Sequence, residues 1–400
     1  MLWRTYLQVT LPALTGGLIH SGVRWVDKVG HALVQSYWID IGGQRVDTQY
    51  GEWLEIWNSL TMPATKLHGY NKMIGHVTQL HTDATLSTYT LYIPLLFWFC
   101  QNIGLALPLV SLQNHNVTIS VQLAPLSALI IQANPTDVFT GSIVTACLYV
   151  DQRYCDIDER RRFATARQQM LITQLQIGSS QTLTIPTNNV PINLNHPCKC
   201  LIFVAQKAEC VAANVNQQFN FTDTLQIRDT TATFDESVDN LDAGAIQIVN
   251  NVATVAQGPL VSGCLLLNSH QRFDARSGSY FNYVQPFQHW SNVPGSPGIY
   301  AYSFAINPEA AQPSGSTNFS KIDQTVLQCT FSPSLFINAA GSTNQTAQFR
   351  LYALNLNILK LDQGRAGIAC VLCIAQKSYT LQISGTFCRK SLRSHLKSSN

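Results

Sequence analysis

The residue types that could bind a metal ion are spread along this chain and form no recognised constellation. His68, His76 and His81 lie close together, but their spacings of eight and five residues fit neither one strand face nor one helical turn. Loop or surface positions are therefore favoured over a metal site. A group of acids offers the oxygen ligands that calcium prefers, although a solvated loop explains it more simply; the group comprises Asp235, Glu236 and Asp239.

Cysteine is the second residue type with possible chemistry, and the chain has 11 of them. Five lie in apolar, strand-like segments and are predicted to be mostly reduced, buried thiols: Cys100, Cys147, Cys210, Cys264 and Cys329. The spacing Cys370-x-x-Cys373 is half of a zinc site, which Cys388 and His395 could complete. No second CxxC supports it, so an unselected extension is the favoured interpretation of this end of the chain.

Motifs that mark common enzyme classes are missing from the sequence. It contains no Walker-type phosphate loop, no GxSxG elbow and no HExxH helix. The run Arg160–Arg162 resembles a phosphate site, but neighbouring acids favour a helix with paired charges. We therefore expect no catalytic residue, no cofactor-binding residue, no metal ligand and no cofactor. A pair of glycosidase carboxylates stays open, because such residues meet only in the fold.

The composition points to contact with other protein. Only 12% of the 400 residues are charged, against about 25% in an ordinary globular chain. Charged residues are depleted at the centres of interfaces, so such a surface suits an assembly subunit. The net charge is +3, and five basic residues without an acid lie beyond residue 370. The body therefore lacks a basic footprint, and no direct contact with nucleic acid is expected.

The pattern of apolar residues predicts an all-β protein with short helices in loops. Strands are predicted at Arg4–Thr10, Val34–Ile41, Thr90–Phe99, Val117–Leu123, Ser142–Val150, Met170–Ile177, Leu201–Ala205, Val261–Leu267, Ile299–Ile306 and Gln348–Leu359. Gly42–Gly43 predicts a hairpin turn, and Glu52–Leu60 has the spacing of an amphipathic helix. Many short strands between turn signals favour a sandwich or jelly roll. No sequence repeat relates the two halves.

One helix and one apolar stretch affect the domain organisation. Asp156 and Glu159 form a capping-box pattern for a helix that runs to about Arg167, with ion pairs Asp156–Arg160 and Asp158–Arg162. This helix is the predicted boundary between two domains. The stretch Leu91–Leu112 is long enough to span a bilayer, but two prolines and a polar pair interrupt it. No membrane span is expected. Residues Asp274–Pro313 are predicted to be long contact loops.

Several of these segments resemble the major capsid proteins of nucleocytoplasmic large DNA viruses. The resemblance rests on Leu91–Leu112 (LYIPLLFWFCQNIGLALPLVSL), Asp156–Phe163 (DIDERRRF), Phe281–Gln288 (FNYVQPFQ), Gly298–Asn307 (GIYAYSFAIN), Gln312–Asp323 (QPSGSTNFSKID) and Leu351–Leu359 (LYALNLNIL). Ordered motifs of this length are specific, and they cover roughly residues 3–365.

This resemblance implies two tandem antiparallel eight-stranded jelly rolls without catalytic activity. It assigns residues 1–165 to the first, which is shortened at its start, 166–368 to the second, and 369–400 to an atypical basic tail. It implies a homotrimer of pseudo-hexagonal outline that tiles an icosahedral shell and contacts neighbouring capsomers and minor capsid proteins. The expected location is the virion, after assembly in the host cytoplasm. The core residues predicted from the strands include Trp38, Phe97, Phe99, Leu107 and Val110.

One departure from the family, a set of glycosylation sequons and two other functions stay in view. Family members usually carry a stretch before the position of Met1, and a first jelly roll without its opening strand has an unpaired sheet edge. We therefore expect residues 1–165 to fold poorly or aggregate. Four N-x-S/T sequons, at Asn116, Asn220, Asn318 and Asn344, leave surface glycosylation open. A carbohydrate-binding or adhesion sandwich and a jelly-roll hydrolase are the alternatives.

Overall fold

The computed structural model describes residues 1–13, 23–81, 88–131, 142–212, 215–225, 246–249, 252–255, 257–337 and 345–369. The earlier strands are β1 Leu2–Leu11, β2 Arg24–Trp25, β3 Val34–Ile41, β4 Gln44–Tyr50, β5 Tyr89–Pro94, β6 Val117–Leu123, β7 Ile130–Ile131 and β8 Thr145–Gln152. The later strands are β9 Gln168–Leu183, β10 Thr187–Pro191, β11 Pro197–Lys207, β12 Ile246–Val249, β13 Val252–Val255, β14 Leu260–Leu267, β15 His270–Gln271, β16 Arg276–Ser277, β17 Ile299–Ser303, β18 Thr317–Asn318, β19 Thr325–Phe331, β20 Ala347–Asp362 and β21 Arg365–Ile368. The α-helices are α1 Val29–Leu33, α2 Gly51–Thr61, α3 Ala64–Ile74, α4 Thr78–His81, α5 Trp98–Gln101, α6 Ile157–Thr165 and α7 Gln285–His289.

The strands before α6 form a sandwich of two antiparallel sheets, which we call the first sandwich. Their orders are β5-β1-β8 and β4-β3-β6. Strand β1 shows why the two sheets pack together. Leu7, Val9 and Leu11 are buried on one face, whereas Gln8 and Thr10 on the other face are only half-buried. Such alternation buries one side of each sheet against the opposite sheet.

The strands after α6 form a second sandwich with the same strand order as the first. Two additional strands, β9 and β10, lie at its edges. One sheet runs β17-β11-β20-β9 and the other runs β10-β19-β14, followed by the short β15 and β16. Taken in chain order, β1, β5 and β8 correspond to β11, β17 and β20, and β3 and β6 correspond to β14 and β19. The predicted all-β jelly-roll fold is confirmed. The repeat lies in the pairing order and leaves no trace in the sequence.

The two sandwiches share a hydrophobic core. One cluster of buried residues joins Leu7, Ile39 and Trp53 of the first sandwich to Ile202 and Leu354 of the second. A separate cluster fills the interior of the second sandwich, where Phe203 packs against Phe281 and Phe349. A shared core gives the two sandwiches a fixed relative position, because close-packed side chains resist sliding. The division at residues 165 and 368 remains a prediction.

The predicted hairpin between β3 and β4 is confirmed. Ile41 pairs with Gln44, and the two glycines between them have φ angles of 59° and 80°. Both positions need the left-handed conformation of the mirror-image turn that matches strand twist. A side chain at Gly42 would also collide with the ring of His115.

The apolar stretch Leu91–Leu112 departs from its prediction. The strand stops at Pro94 instead of continuing to Phe99, since proline cannot donate a ladder hydrogen bond. Short helical turns follow at Trp98–Gln101, Ile103–Leu105 and Leu109–Leu112. Phe97, Phe99 and Leu107 are buried as expected but not in strands, and Val110 is only half-buried. Within the described chain, no helix is long and apolar enough to cross a membrane.

Helix α6 confirms its predicted capping box and corrects its predicted ion pairs. Asp156 caps the helix and Glu159 returns a hydrogen bond to the backbone of Asp156. The ion pair, at 3.6 Å, joins Asp158 to Arg161 rather than to Arg162. All three arginines are exposed. The predicted contact loop Asp274–Pro313 contains a π-helix at Tyr280–Val284 followed by α7, and β17 ends at Ser303 rather than Ile306.

Candidate functional site

The residues singled out as possible metal ligands do not come together. His76 lies in the loop between α3 and α4, one of the two kinds of position predicted for it, but it is fully buried and its Nδ1 lies 2.5 Å from Asp27 Oδ1. His68 is exposed on α3, and the side chain of His81 lies outside the described residues. The described residues also leave out the predicted calcium and zinc candidates, which are Asp235, Glu236, Asp239, Cys370, Cys373, Cys388 and His395. Among the described residues, no three His, Cys, Asp or Glu side chains are grouped as a metal site.

The eight cysteines that the structure describes are free thiols. Cys210, Cys264 and Cys329 are buried as predicted, whereas Cys147 is exposed and Cys100 is half-buried. Burial raises the pKa of Cys210 to about 12. A thiol with such a pKa stays protonated near neutral pH, and a protonated thiol is a poor nucleophile.

A buried ionic network lies at the base of the first sandwich and was not foreseen. Lys28 Nζ and His31 Nδ1 each lie 2.7 Å from a carboxylate oxygen of Glu55, and His31 Nε2 lies 2.8 Å from the Tyr70 hydroxyl. Burial alone would raise the pKa of Glu55, but the charge of Lys28 and the bond with His31 lower it to about 2. The network holds α1, α2 and α3 together, which is a structural role.

A second ionic cluster joins the two sandwiches. Arg350 on β20 donates two hydrogen bonds, of 2.9 and 2.6 Å, to one carboxylate oxygen of Glu52 on α2. Tyr352 donates to the other oxygen at 2.7 Å, and its ring lies 5.6 Å from that of Trp53. The side chains of Glu52 and Arg350 are both half-buried, and bidentate pairs of this kind fix orientation more than they add stability. We call Glu52, Trp53, Arg350 and Tyr352 the joint.

The sequence contained a weak signal for these two clusters. The amphipathic spacing of Glu52–Leu60 predicts one buried stripe on α2, which Trp53 and Leu60 share, yet Leu54, Glu55 and Asn58 are buried as well. A helix that is covered on nearly all sides must place its polar residues against partners. The chain has only 12% charged residues, yet this short helix carries two glutamates. That concentration of acids is the signal from which the two ionic clusters could have been predicted.

A buried acid between β4 and β9 makes the stability of the fold depend on pH. Asp47 on β4 accepts hydrogen bonds from the Gln49 side chain at 2.9 Å and from the Leu175 backbone at 3.1 Å. Burial raises the pKa of Asp47 to about 6, and these hydrogen bonds only partly oppose the rise. Asp47 therefore prefers to be protonated in the folded chain below that pH.

We expect Asp47 to weaken the fold as the pH rises from 4 to 7. Its pKa is higher in the folded chain than in the unfolded one, so the folded chain binds more protons within this window. The contribution of Asp47 to the free energy of unfolding is fully present below pH 4 and is lost as the pH rises through 6. The loss amounts to at most about 3 kcal/mol. Urea unfolding of Asp47→Asn at several pH values should show that this slope has disappeared. Asp158→Asn, on an exposed acid, should keep it; an unchanged slope in Asp47→Asn would contradict the assignment.

Four exposed apolar residues that could make contacts lie in the predicted contact loop. Phe287 and Ile306 are 80% and 76% exposed, and Tyr283 and Val284 are more than 40% exposed. The π-helix and α7 place Tyr283, Val284 and Phe287 on neighbouring turns, and His289 binds the carbonyl of Ile306 at 2.9 Å. We call Tyr283, Val284, Phe287 and Ile306 the loop cluster. Grouped exposed apolar side chains commonly mark contact sites.

The outer face of the first sandwich is aromatic. Tyr6 stacks on Tyr149 with ring centres 5.2 Å apart, and Tyr92 lies beside it at 6.3 Å. The guanidinium groups of Arg4 and Arg153 lie 4.3 and 4.6 Å from the centre of the Trp3 ring. Aromatic residues and arginine are enriched in protein interfaces.

The cavity between the sandwiches and the sequons give little support to a ligand site. The cavity between the sandwiches, lined by Trp53, Phe97 and Gln174 among others, has a volume of about 90 Å³. This is small beside the several hundred Å³ of typical ligand pockets. Asn220 is buried, Asn116 is exposed, Asn318 is half-buried, and Asn344 lies outside the described residues.

Comparisons with known proteins agree with this geometry. Residues 1–159 match the family described as "Major capsid protein N-terminus", and residues 159–367 match "Large eukaryotic DNA virus major capsid protein". The major capsid protein of Phaeocystis pouchetii virus is 34% identical over 92% of this chain and 87% of its own length. That of Paramecium bursaria Chlorella virus 1 is 32% identical over 84% and 78%.

Solved structures show the same likeness. A chain of the PBCV-1 virus capsid superposes with a TM-score of 0.73 at 28% identity and covers 93% of this chain and 90% of that one. The Faustovirus major capsid protein gives a TM-score of 0.70 at 13% identity over 90% and 86%, which shows the fold alone. With both of its halves matched, this chain belongs to the major capsid proteins of large eukaryotic DNA viruses and is a structural subunit of a viral capsid.

Proposed function

We propose that three copies of this chain form a trimer of pseudo-hexagonal outline and that such trimers tile an icosahedral shell. The trimers contact neighbouring capsomers and minor capsid proteins, assembly takes place in the host cytoplasm, and the chain has no enzymatic activity. The division into two jelly rolls at residue 165 and a separate tail after residue 368 belongs to the same proposal.

One observation carries the proposal: each chain holds two sandwiches of like strand order in one rigid block. The shared core and the joint fix their relative position. Three such blocks around a threefold axis would place six similar sandwiches in a ring, which gives a hexagonal outline from a trimer. Symmetric closed rings are the usual form of protein oligomers.

The loop cluster supports contact between copies. Its side chains are the largest exposed apolar group in the contact loop, and Phe287 at 80% exposed has little contact within its own chain. Burial of such side chains in a partner gains about 1.5–3 kcal/mol for each fully covered residue. A chain with few surface charges loses little by charge desolvation when its walls meet.

We expect Phe287→Asp combined with Ile306→Asp to abolish the trimer while the fold persists. A carboxylate at either position would be forced into an apolar contact, which is unfavourable by several kcal/mol. Light scattering after size exclusion should give three times the chain mass for the unmodified protein and one chain mass for the double variant.

Two comparisons keep this test specific. The paired conservative changes Phe287→Leu and Ile306→Val keep the apolar contact and should keep the trimer. An intact trimer in the double aspartate variant would exclude the loop cluster from the interface. A monomer from the unmodified protein at all concentrations would contradict the trimer itself.

A further inference from the structure

Both sandwiches carry a helical segment at the same place in the fold. In the first sandwich, α2 follows β4, the strand that pairs with β3. In the second, the π-helix and α7 follow β16, the strand that pairs with β14, and we call Tyr280–His289 the second helical segment. A side chain at Gly51 would collide with the Val34 carbonyl at the start of β3, and one at Gly278 with the Leu260 carbonyl at the start of β14. The two glycines therefore mark equivalent positions, where the chain passes close to a neighbouring backbone.

The two helical segments differ in what covers them. Leu60, nine residues after Gly51, is fully buried in the core that the sandwiches share. Phe287, at the same distance after Gly278, is 80% exposed, and Val284 on the preceding turn is 42% exposed. The second helical segment thus has an apolar side like the one that α2 buries against the other sandwich. Within the described residues, this side is uncovered.

The sheets β5-β1-β8 and β17-β11-β20 can be matched residue by residue, because each contains a bulge. The strand pairing shifts after Leu2 in β1 and after Cys198 in β11. Four residues further along each strand, a residue that faces out of its own sandwich pairs with a tyrosine of the neighbouring strand. These matched pairs are Tyr6–Tyr149 in the first sandwich and Ile202–Tyr352 in the second.

The matched faces of the two sheets differ in exposure. Ile202 and Tyr352 are at most 2% exposed, and the Tyr352 ring packs against Trp53 on α2. In contrast, Tyr149 is 41% exposed and Tyr92 beside it is 40% exposed. The first sandwich therefore leaves uncovered the face that the second sandwich buries against α2. We call Tyr6, Tyr92 and Tyr149 the aromatic face.

The charges of the joint have uncharged equivalents on these two exposed surfaces. Counted from the same bulge and the same glycine, Arg350 matches Cys147 and Glu52 matches Ser279. Cys147 and Ser279 are both exposed. If only one member of the ion pair had been replaced, the other charge would be desolvated without its partner in a contact, which is unfavourable. Because neither member is charged here, the two surfaces can meet at this point without an unpaired charge.

We propose that the aromatic face of one copy packs on the second helical segment of a neighbouring copy, as the sheet of the second sandwich packs on α2 within the chain. Tyr149 then meets Tyr280 across the contact, as Tyr352 meets Trp53. This inference rests on the trimer proposed above and names the two surfaces that hold it together. Because the surfaces are unlike, each copy uses one toward each neighbour, and three identical contacts close a ring.

Cross-linking of the full chain tests this contact at two exposed positions. Ser279→Cys supplies a thiol that should face Cys147 of the neighbouring copy, and a short bismaleimide should join the two. The product should run at two and three chain masses on a denaturing gel. We expect about tenfold more of it than in the same variant carrying Cys147→Ser, because assembly holds the two thiols at a high effective concentration. Mass spectrometry should find the linked peptides that contain positions 147 and 279.

The cross-linking result distinguishes this contact from the trimer itself. A trimer in light scattering without a link between positions 147 and 279 would overturn the contact and leave the trimer standing. Monomers of the unmodified protein at all concentrations would overturn both.

Mixing two monomeric variants tests whether unlike surfaces meet. Tyr6→Asp with Tyr149→Asp disrupts the aromatic face, and Val284→Asp with Phe287→Asp disrupts the second helical segment, so each variant alone should be monomeric. Their mixture should form a one-to-one dimer, because each keeps the surface that the other lacks. Tyr6→Phe with Tyr149→Phe keeps the rings and should keep the trimer. Dimers of either aspartate variant alone, or a mixture that stays monomeric, would overturn the proposal.

Discussion

Replacement of Glu55 by glutamine is expected to lower the free energy of unfolding by about 3–5 kcal/mol, because removing one member of a buried ion pair leaves the other charge poorly compensated. Lys28 is 1% exposed and Glu55 is 3% exposed, so water cannot take the place of the carboxylate. The bond between Glu55 and His31 would also be weakened. Urea unfolding followed by intrinsic fluorescence measures this loss.

The double variant Lys28→Met with Glu55→Gln distinguishes a charge effect from a packing effect. It removes both charges and keeps similar volumes, so more than half of the lost stability should return. A loss below about 1 kcal/mol in Glu55→Gln alone would mean that the pair is not buried as described. No recovery in the double variant would assign the loss to packing.

Replacement of Trp53 by alanine is the second change with a large expected effect. Trp53 is 2% exposed and packs against the rings of Trp57 and Tyr352 at the joint. Its removal would enlarge the adjoining cavity and should lower the free energy of unfolding by about 3–5 kcal/mol. Because the two sandwiches share a core through this residue, their unfolding should separate into two transitions in calorimetry.

Tyr154→Ala is the matched control for this change. Tyr154 is an aromatic residue that is 93% exposed, so its truncation should shift stability by less than about 0.5 kcal/mol. A single sharp transition in Trp53→Ala, with little loss of stability, would show that the joint does not couple the sandwiches.

Much of the strand pattern could be predicted because each strand carries its own alternation. Val34–Ile41 and Val117–Leu123 were predicted at the residues where they occur, since both are rich in β-branched and aromatic residues and lie between turn signals. Phe97 and Phe99 were assigned to a strand because a buried apolar run has no period that separates strand from helix. Pro94 was the residue that ends the strand.

The candidate contact and ionic residues were harder to find from sequence. The contact loop was predicted from its composition, yet Phe287 and Ile306 became candidates only once their exposure was known. The pairing of Glu52 with Arg350 joins residues nearly three hundred positions apart, and no local pattern encodes it. The like order of the two sandwiches is likewise a property of pairing, because different sequences can satisfy the same burial pattern.

The central claim is that this capsid subunit works by burying its weakly charged walls against other copies. Electron microscopy of the purified full chain, in negative stain, tests this claim most directly. We predict uniform threefold particles with a hexagonal outline and, at high protein concentration, flat arrays of them. Single, non-associating particles of one chain mass at every concentration would contradict it.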